Sequence, residues 1–224
     1  EEAVYKEKEQ EEMDLYFLMD RFGYAKTIDV NTYERNKEAA DSEFKYVFKC
    51  RNIGKICLFT TEGQMHTIKA MDLPLGKFRD KGIPIDNVSN FSSEKEEIVY
   101  ITSQTQINLS RLVFVTSQAM MKIVDGGEFD VAKKTVAATK LGEGDKLVSV
   151  IAIHTQNQIV LHTKEGYFLR FNLDEIPEKK KAAIGVRGMK LVAKDYIENL
   201  VIDNILEVLS NNQILEELAK RIYD

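Results

Sequence analysis

The 224-residue sequence has few of the residues that announce particular chemistries. It holds two cysteines, Cys50 and Cys57, and three histidines, His66, His154 and His162, with no HxH, HExxH or paired-cysteine spacing. That argues against a disulfide framework and a zinc site; two structural thiols in a reducing compartment is the plain reading. The histidines fall on strand-like runs, where a place on a sheet surface is the expected role. No apolar run approaches the roughly 20 residues of a membrane-spanning helix. The opening EEAVYKEKEQEEMD is acidic with no apolar centre, so no secretory signal is expected there. There is no GxSxG elbow and no base set by motif beside a cysteine, so an active site is not expected. Cofactors and metals are expected to be absent.

Enough remains for a packed core: 44% of residues are hydrophobic and 30% charged. The net charge of −5 argues on its face against a polyanion partner. Its distribution points the other way. Residues 1–14 and 195–224 each carry −5, leaving +5 on the body between them.

That body is repetitive. LYFLMDRFGYAKTID from Leu15, ICLFTTEGQMHTIK from Ile56, LVFVTSQAMMKIVD from Leu112 and IVLHTKEGYFLRFN from Ile159 align as two alternating runs around a short turn. The pattern is that of a β-hairpin. The turn residue is Gly23, Gly63, Ala119 or Gly166, and the alanine implies a modified or mildly strained third turn. Pro74 and Pro177 share one register after their turns, as do Gly82 and Gly185. With turns 40, 56 and 47 residues apart and no amphipathic helix expected between them, the repeats read as four-stranded blades arranged radially. Insertions are expected near Ser92–Glu97 and Gln104–Ser110, both polar and turn-rich. Residues 1–12 read as an acidic lead-in, 13–194 as the β domain, and 195–224 as a tail that turns helical from Asp203, with Ile214, Leu215, Leu218 and Ile222 on one face.

EKKKAAIGVRGMKL, from Glu178 to Leu191, sets lysines beside closely spaced glycines. A phosphate loop of the Walker type needs its lysine after the glycines and a helix behind it; here the order is reversed and VRGMKL reads as a strand. The lysines belong instead to a repeated basic position, fourteen residues past each turn: Lys37, Lys77, Lys133 and Lys180. Arg79, Lys81, Lys134, Lys179, Lys181 and Arg187 lie close to it. A second basic set follows the turns directly: Lys26, His66, Lys122 and Arg170. Equivalent positions of a radial array lie on equivalent parts of its rim, so these residues read as a stripe for a duplex phosphate backbone. The alternative is a solvated face, with the disc serving as a protein-interaction platform.

These residues resemble a known family. The strand–TxxG–strand hairpins, the LP and IP elements with trailing basic residues, and above all EIPEKKKAAIGVRGMKL are similar to the C-terminal domain of the A subunit of bacterial type IIA topoisomerases, DNA gyrase and topoisomerase IV. The resemblance spans about residues 13–194. It implies an all-β fold, a β-pinwheel of strand-exchanging blades; the short helical tail is read from the residues alone, and the stretch after Lys194 departs from the family pattern. It implies a basic rim that binds and bends or wraps double-stranded DNA with little sequence preference. It further implies that the partners are the ATPase B subunit together with the catalytic core of the same A subunit, and that the setting is the bacterial cytoplasm at the nucleoid, without a membrane. Four signatures are present where the family commonly has five or six blades. The family's catalytic tyrosine follows an arginine, and none of the nine tyrosines here does, so DNA cleavage and ATP binding are expected to lie elsewhere. Gyrase domains carry a glycine- and arginine-rich box in the first-blade connection. The matching NKEAADSEFKYV, Asn36 to Val47, has no glycine and several acids, which implies modest bending, as in topoisomerase IV or a divergent gyrase.

Overall fold

The computed structural model describes residues 11–155, 158–191 and 195–202. Each repeat opens with a hairpin: β1 (Asp14–Met19) with β2 (Tyr24–Asp29), β4 (Lys55–Thr60) with β5 (Gln64–Lys69), β8 (Arg111–Thr116) with β9 (Met120–Asp125), and β12 (Gln158–Thr163) with β13 (Phe168–Asn172). The turn glycines Gly23, Gly63 and Gly166 have positive φ, and so does Ala119, at φ 62. Ala119 holds this left-handed conformation because its N–H donates to the Thr116 carbonyl at 2.9 Å while Thr116 Oγ1 accepts from Met120 N. The strain of about 1 kcal/mol expected of a non-glycine residue there is set against a methyl with no exposed surface.

After its hairpin the chain does not finish its own sheet. It crosses to the preceding one, adds a short outer strand, and only then returns. β6 (Ile83–Pro84) joins β2, β10 (Thr135–Ala137) joins β5, and β14 (Val186–Arg187) joins β9. β3 (Tyr46–Arg51), β7 (Ile98–Ser103), β11 (Leu147–Ile153) and β15 (Ile197–Ile202) then complete the sheets on the other side of each hairpin. The sheets read β3-β1-β2-β6, β10-β5-β4-β7, β11-β8-β9-β14 and β13-β12-β15. β3 packs on β7, β7 on β11 and β11 on β15. These strands therefore form the inner side of the array, and the exchanged strands the outer side.

Exchange works because the crossing segments fit one mould. Pro74 O accepts from Thr27 N at 2.9 Å and Pro177 O from Ile123 N at 3.1 Å, pinning each segment beside a hairpin strand. Eight residues later Gly82 (φ 81) and Gly185 (φ 97) press against the hairpin backbone. A Cβ on either would lie 2.4 Å from a carbonyl oxygen, that of Ala25 or Met121.

Alternate residues of each hairpin strand serve different neighbours. Ile56 and Leu58 pack toward the first blade, while Cys57 and Phe59 pack toward the third. Leu112 and Phe114 face the second blade, and Val113 and Val115 the fourth. Burial on both faces is why ICLF and LVFV are continuous apolar runs.

Several expectations need correction. Helices do occur between strands: α1 (Val30–Arg35) and α2 (Lys37–Glu43) fill the first connection, and α3 (Gln104–Asn108) occupies part of the second expected insertion. α1 and α2 cover the free face of the first blade, where Tyr33 and Ala40 pack with Leu18 and Ile28, and Tyr33 stacks on Tyr16 at 3.6 Å between ring centres. That face is closed to any further blade. The fourth sheet has three strands among the described residues, not four. The β domain also runs past residue 194, because β15 is the inner strand of the fourth sheet. The helical pattern beyond Asp203 and most of the acidic lead-in lie outside the described residues.

The glycine requirement is testable. Gly185→Ala meets both positive φ and the Met121 carbonyl and is expected to cost about 2–4 kcal/mol. Gly166→Ala meets positive φ with no atom within 4 Å and is expected to cost about 1 kcal/mol. Urea denaturation of the two variants measures the difference, and equal losses would show that close packing of the exchange segment is unimportant.

Candidate nucleic-acid interface

The two basic sets of the sequence part company in the structure. Lys26 and Lys122 are the correction: they are 1% and 0% exposed, and no phosphate can reach them. Each lies on the second strand of a hairpin covered on both faces, so its side chain enters the protein. Lys26 Nζ donates to the carbonyl oxygens of Lys77 (3.3 Å), Phe78 and Asp80 (2.5 Å). Lys122 Nζ donates to those of Lys180 (3.3 Å), Lys181 (2.5 Å) and Ala183 (2.8 Å), and to Ala138 O (3.3 Å). In both, the crossing segment supplies the third, fourth and sixth residues after its proline. Aromatic faces complete the enclosure, Phe44 and Phe78 around Lys26 and Phe114 at Lys122.

The second blade solves the same problem with different residues. His66, also buried, takes the lysine's place and bonds Thr135 Oγ1 at 3.0 Å and Glu96 Oε1 at 2.8 Å. Thr135 pairs with His66 in the strand register, at the place held by Gly82 and Gly185 next to the other two hairpins. A lysine thus accompanies a glycine, and the histidine a threonine. The Cβ that a glycine lacks would approach the buried lysine's own Cβ to 3.3 Å. In the fourth repeat Leu169 stands at this position, and β13 has no outer strand among the described residues.

Turning carbonyls inward sends the side chains of the crossing segments outward. Lys77, Arg79 and Lys81 are exposed outside the first blade, Lys133 and Lys134 outside the second, and Lys179, Lys180 and Arg187 outside the third. The Lys180 side chain is 87% exposed and reaches Glu128 at 3.1 Å. Lys181 is half-buried, its backbone N–H donating to Glu128 Oε2 at 3.0 Å. Burial works against the Glu128 charge, but the Lys181 N–H and the Lys180 ammonium together outweigh it and hold the carboxyl below its usual range. Arg170 is exposed on β13 and shares a cleft with Arg187 between the third and fourth blades. Lys37 is exposed but begins α2, so it is not the counterpart of the other three lysines.

Among the described residues, no three His, Cys, Asp or Glu converge to hold a metal ion, and no helix is long and apolar enough to cross a membrane. Cys50 and Cys57 are buried, and burial pushes both thiols up to about 12, so neither is a thiolate near neutral pH.

The sequence and the fold are similar to those of known proteins. Residues 110–154 and 157–202 match the family described as DNA gyrase C-terminal domain, beta-propeller. Each matched stretch is one complete repeat: hairpin, exchanged strand and inner strand. Over these two stretches the chain is similar to the C-terminal domain of DNA gyrase. The A subunit of DNA gyrase from Ureaplasma parvum is 24% identical over 82% of this chain and 23% of its own length, and that from Helicobacter pylori is 24% identical over 88% and 26%. The chain thus spans about a quarter of the curated relatives it matches. Among solved structures, the C-terminal domain of DNA topoisomerase IV superposes with a TM-score of 0.77 at 23% identity, covering 87% of this chain and 62% of that one. The E. coli ParC C-terminal domain gives 0.68 at 13% identity, covering 85% and 79%. The fold is the β-pinwheel type.

Burial lowers Lys122 from its ordinary 10.5 to about 8, against a smaller raising effect of Glu128. Burial also lowers Lys26, opposed by Asp80, Glu43 and Asp20. Between about pH 8 and 10.5 the unfolded chain therefore binds the Lys122 proton that the folded chain has lost, and this group's contribution to stability rises with pH across that window. Heteronuclear NMR of the lysine Cε groups should show Lys122 titrating near 8, clear of the exposed lysines. A Lys122 signal that titrates among them would contradict its enclosure.

Proposed function

We infer that this chain is the non-catalytic C-terminal domain of a bacterial type II topoisomerase A subunit. It binds duplex DNA along the outer edge of its blades and bends it, in support of ATP-dependent changes in DNA topology. The observation that carries this reading is the orientation of the crossing segments. Their carbonyls are spent on buried groups, so their basic side chains project outward at successive blades. Lys77, Arg79, Lys81, Lys133, Lys134, Lys179, Lys180 and Arg187 form the contact stripe, extended by Arg170 and, from the first connection, Lys37; half-buried Lys181 adds its charge. Spaced lysines and arginines on an outer edge suit a phosphate backbone and carry no sequence readout. Cleavage and ATP binding belong to the partners in the full enzyme, the ATPase B subunit together with the catalytic core of the same A subunit. The place of action is the bacterial cytoplasm at the nucleoid. The first connection holds the acidic α2, with Glu38, Asp41 and Glu43, instead of a basic box. That favours the modest bending of a topoisomerase IV-like or divergent gyrase-like domain.

With about four to eight phosphates engaged, duplex affinity is expected to fall tenfold or more between 50 and 200 mM salt. Reversing Lys77, Lys133 and Lys180 to glutamate together is expected to weaken binding to every duplex sequence alike. Fluorescence anisotropy across a salt series measures both, and a triple variant that binds like its parent would remove the stripe. Among the described residues the β13 edge has no outer strand and Tyr167 and Phe168 are exposed there, which favours a second reading as a protein-interaction platform. Absence of duplex binding at 50 mM salt would support it.

A further inference from the structure

We propose that Lys26 and Lys122 are positioning residues for the polyanion-binding stripe: they never touch the partner but hold the loops that do. This rests on the DNA-binding reading above. The stripe is carried on irregular backbone, which by itself is a poor platform, since a loose basic loop must be ordered at each encounter. The exchanged strands β6 and β14 pair over only two residues each. Short pairing of that kind does not fix the segments that precede it. Beyond the backbone bonds that Pro74, Gly76, Pro177 and Lys179 make to the hairpins, the buried ammonium does so, by taking the carbonyls of Lys77, Phe78 and Asp80 in one blade and of Lys180, Lys181 and Ala183 in another.

The division of labour is visible within single residues. Lys77 and Lys180 each give a main-chain carbonyl to the buried lysine and an exposed side chain to solvent. A buried lysine thus sets the direction of an exposed one. The second blade repeats the arrangement in another chemistry, with His66 on Thr135 and the Thr67 N–H on the Lys134 carbonyl at 2.8 Å. A contact residue and a positioning residue then differ in what their loss does. Losing a contact lowers both the affinity and its salt dependence, by close to one phosphate. Losing a positioning residue leaves the exposed charges in place, so affinity falls while the salt slope stays.

The experiment compares Lys122→Met with Lys180→Glu in the full chain, using duplex affinity over a salt series and amide hydrogen exchange read by NMR. Lys122→Met is expected to speed exchange at Lys179, Lys181 and Ala183 and to weaken duplex binding about threefold to tenfold with an unchanged salt slope. Lys180→Glu is expected to reduce the slope and leave those amides protected. Should Lys122→Met not fold, as judged by near-ultraviolet circular dichroism, Lys26→Met puts the same question to the loop at Lys77–Asp80. The parent protein supplies a measurement that needs no variant: the amides of Lys179, Lys181 and Ala183 are expected to exchange as slowly as those of β9, and exchange at free-loop rates overturns the clamp. Faster loop exchange with unchanged duplex affinity overturns the positioning role and leaves the proposed function standing. No duplex binding by the parent overturns both.

Discussion

A lysine ammonium buried among main-chain carbonyls is the interaction on which the rest of this structure depends. Strand exchange creates a problem for the backbone. A segment that leaves one sheet, crosses to the next and returns has carbonyls in irregular conformation against protein, where ladder partners are few and unpaired groups are costly. Lys26 and Lys122 answer this with a compact charge on a flexible stem, whose donors converge on the crossing segment and, for Lys122, also reach Ala138. A planar guanidinium is the wrong shape for carbonyls arriving from a curved segment. The charge strengthens each bond, and the enclosing aromatic rings recover part of the hydration lost on burial.

From that clamp follow the direction of the loops and the composition of the hairpins. A blade whose outer edge is closed by its neighbour's strand presents two faces, and each is buried, against another blade or, at the first blade, against the helices. The hairpin strands are then apolar on both sides, and each core lies between sheets. Such an array needs an end piece wherever a face has no neighbour. At the first blade α1 and α2 supply it with Tyr33 and Ala40, in the stretch where gyrase domains carry a basic box. A segment that packs as a lid places its apolar residues inward and its acids outward, and it gains nothing from arginine and glycine. The absence of a box and the presence of a lid are one fact seen twice.

The parts of this design that are legible in the sequence are those a local conformation dictates. The hairpins, the special turn at Ala119, and the shared register of Pro74 with Pro177 and Gly82 with Gly185 all follow from φ preferences and close backbone approach. Lys26, Lys122 and His66 are misplaced when they are judged by charge alone. Alternation separates an inner from an outer face only when one face is wet, and here neither is. A usable signal is present: each buried lysine sits in a run, YAKTID or MMKIVD, with an apolar residue before it and a β-branched one after it, and each is matched by a glycine in the next repeat. His66 breaks that pairing and has Thr135 in place of the glycine. The helices of the first connection escape a sequence reading for a different reason, since thirteen helical residues in two short pieces are held by packing on Leu18 and Ile28 more than by any pattern of their own.

The same geometry bears on how strongly a duplex is deformed. A backbone bent around an outer edge needs phosphate contacts at intervals along a curve, held rigidly enough that binding energy goes into the DNA and not into ordering the protein. The clamped loops meet the second condition at the first and third blades, and the His66 arrangement meets it at the second. The first condition is met over the same arc and carried onto the fourth blade by Arg170, exposed beside Arg187. At the first connection the arc narrows to Lys37, because Glu38, Asp41 and Glu43 on the same helix present the wrong sign to a phosphate. On the DNA-binding function proposed above, a stripe that is rigid but interrupted supports a bend of limited extent, and the helix that finishes the core of the first blade would set one limit of the DNA path.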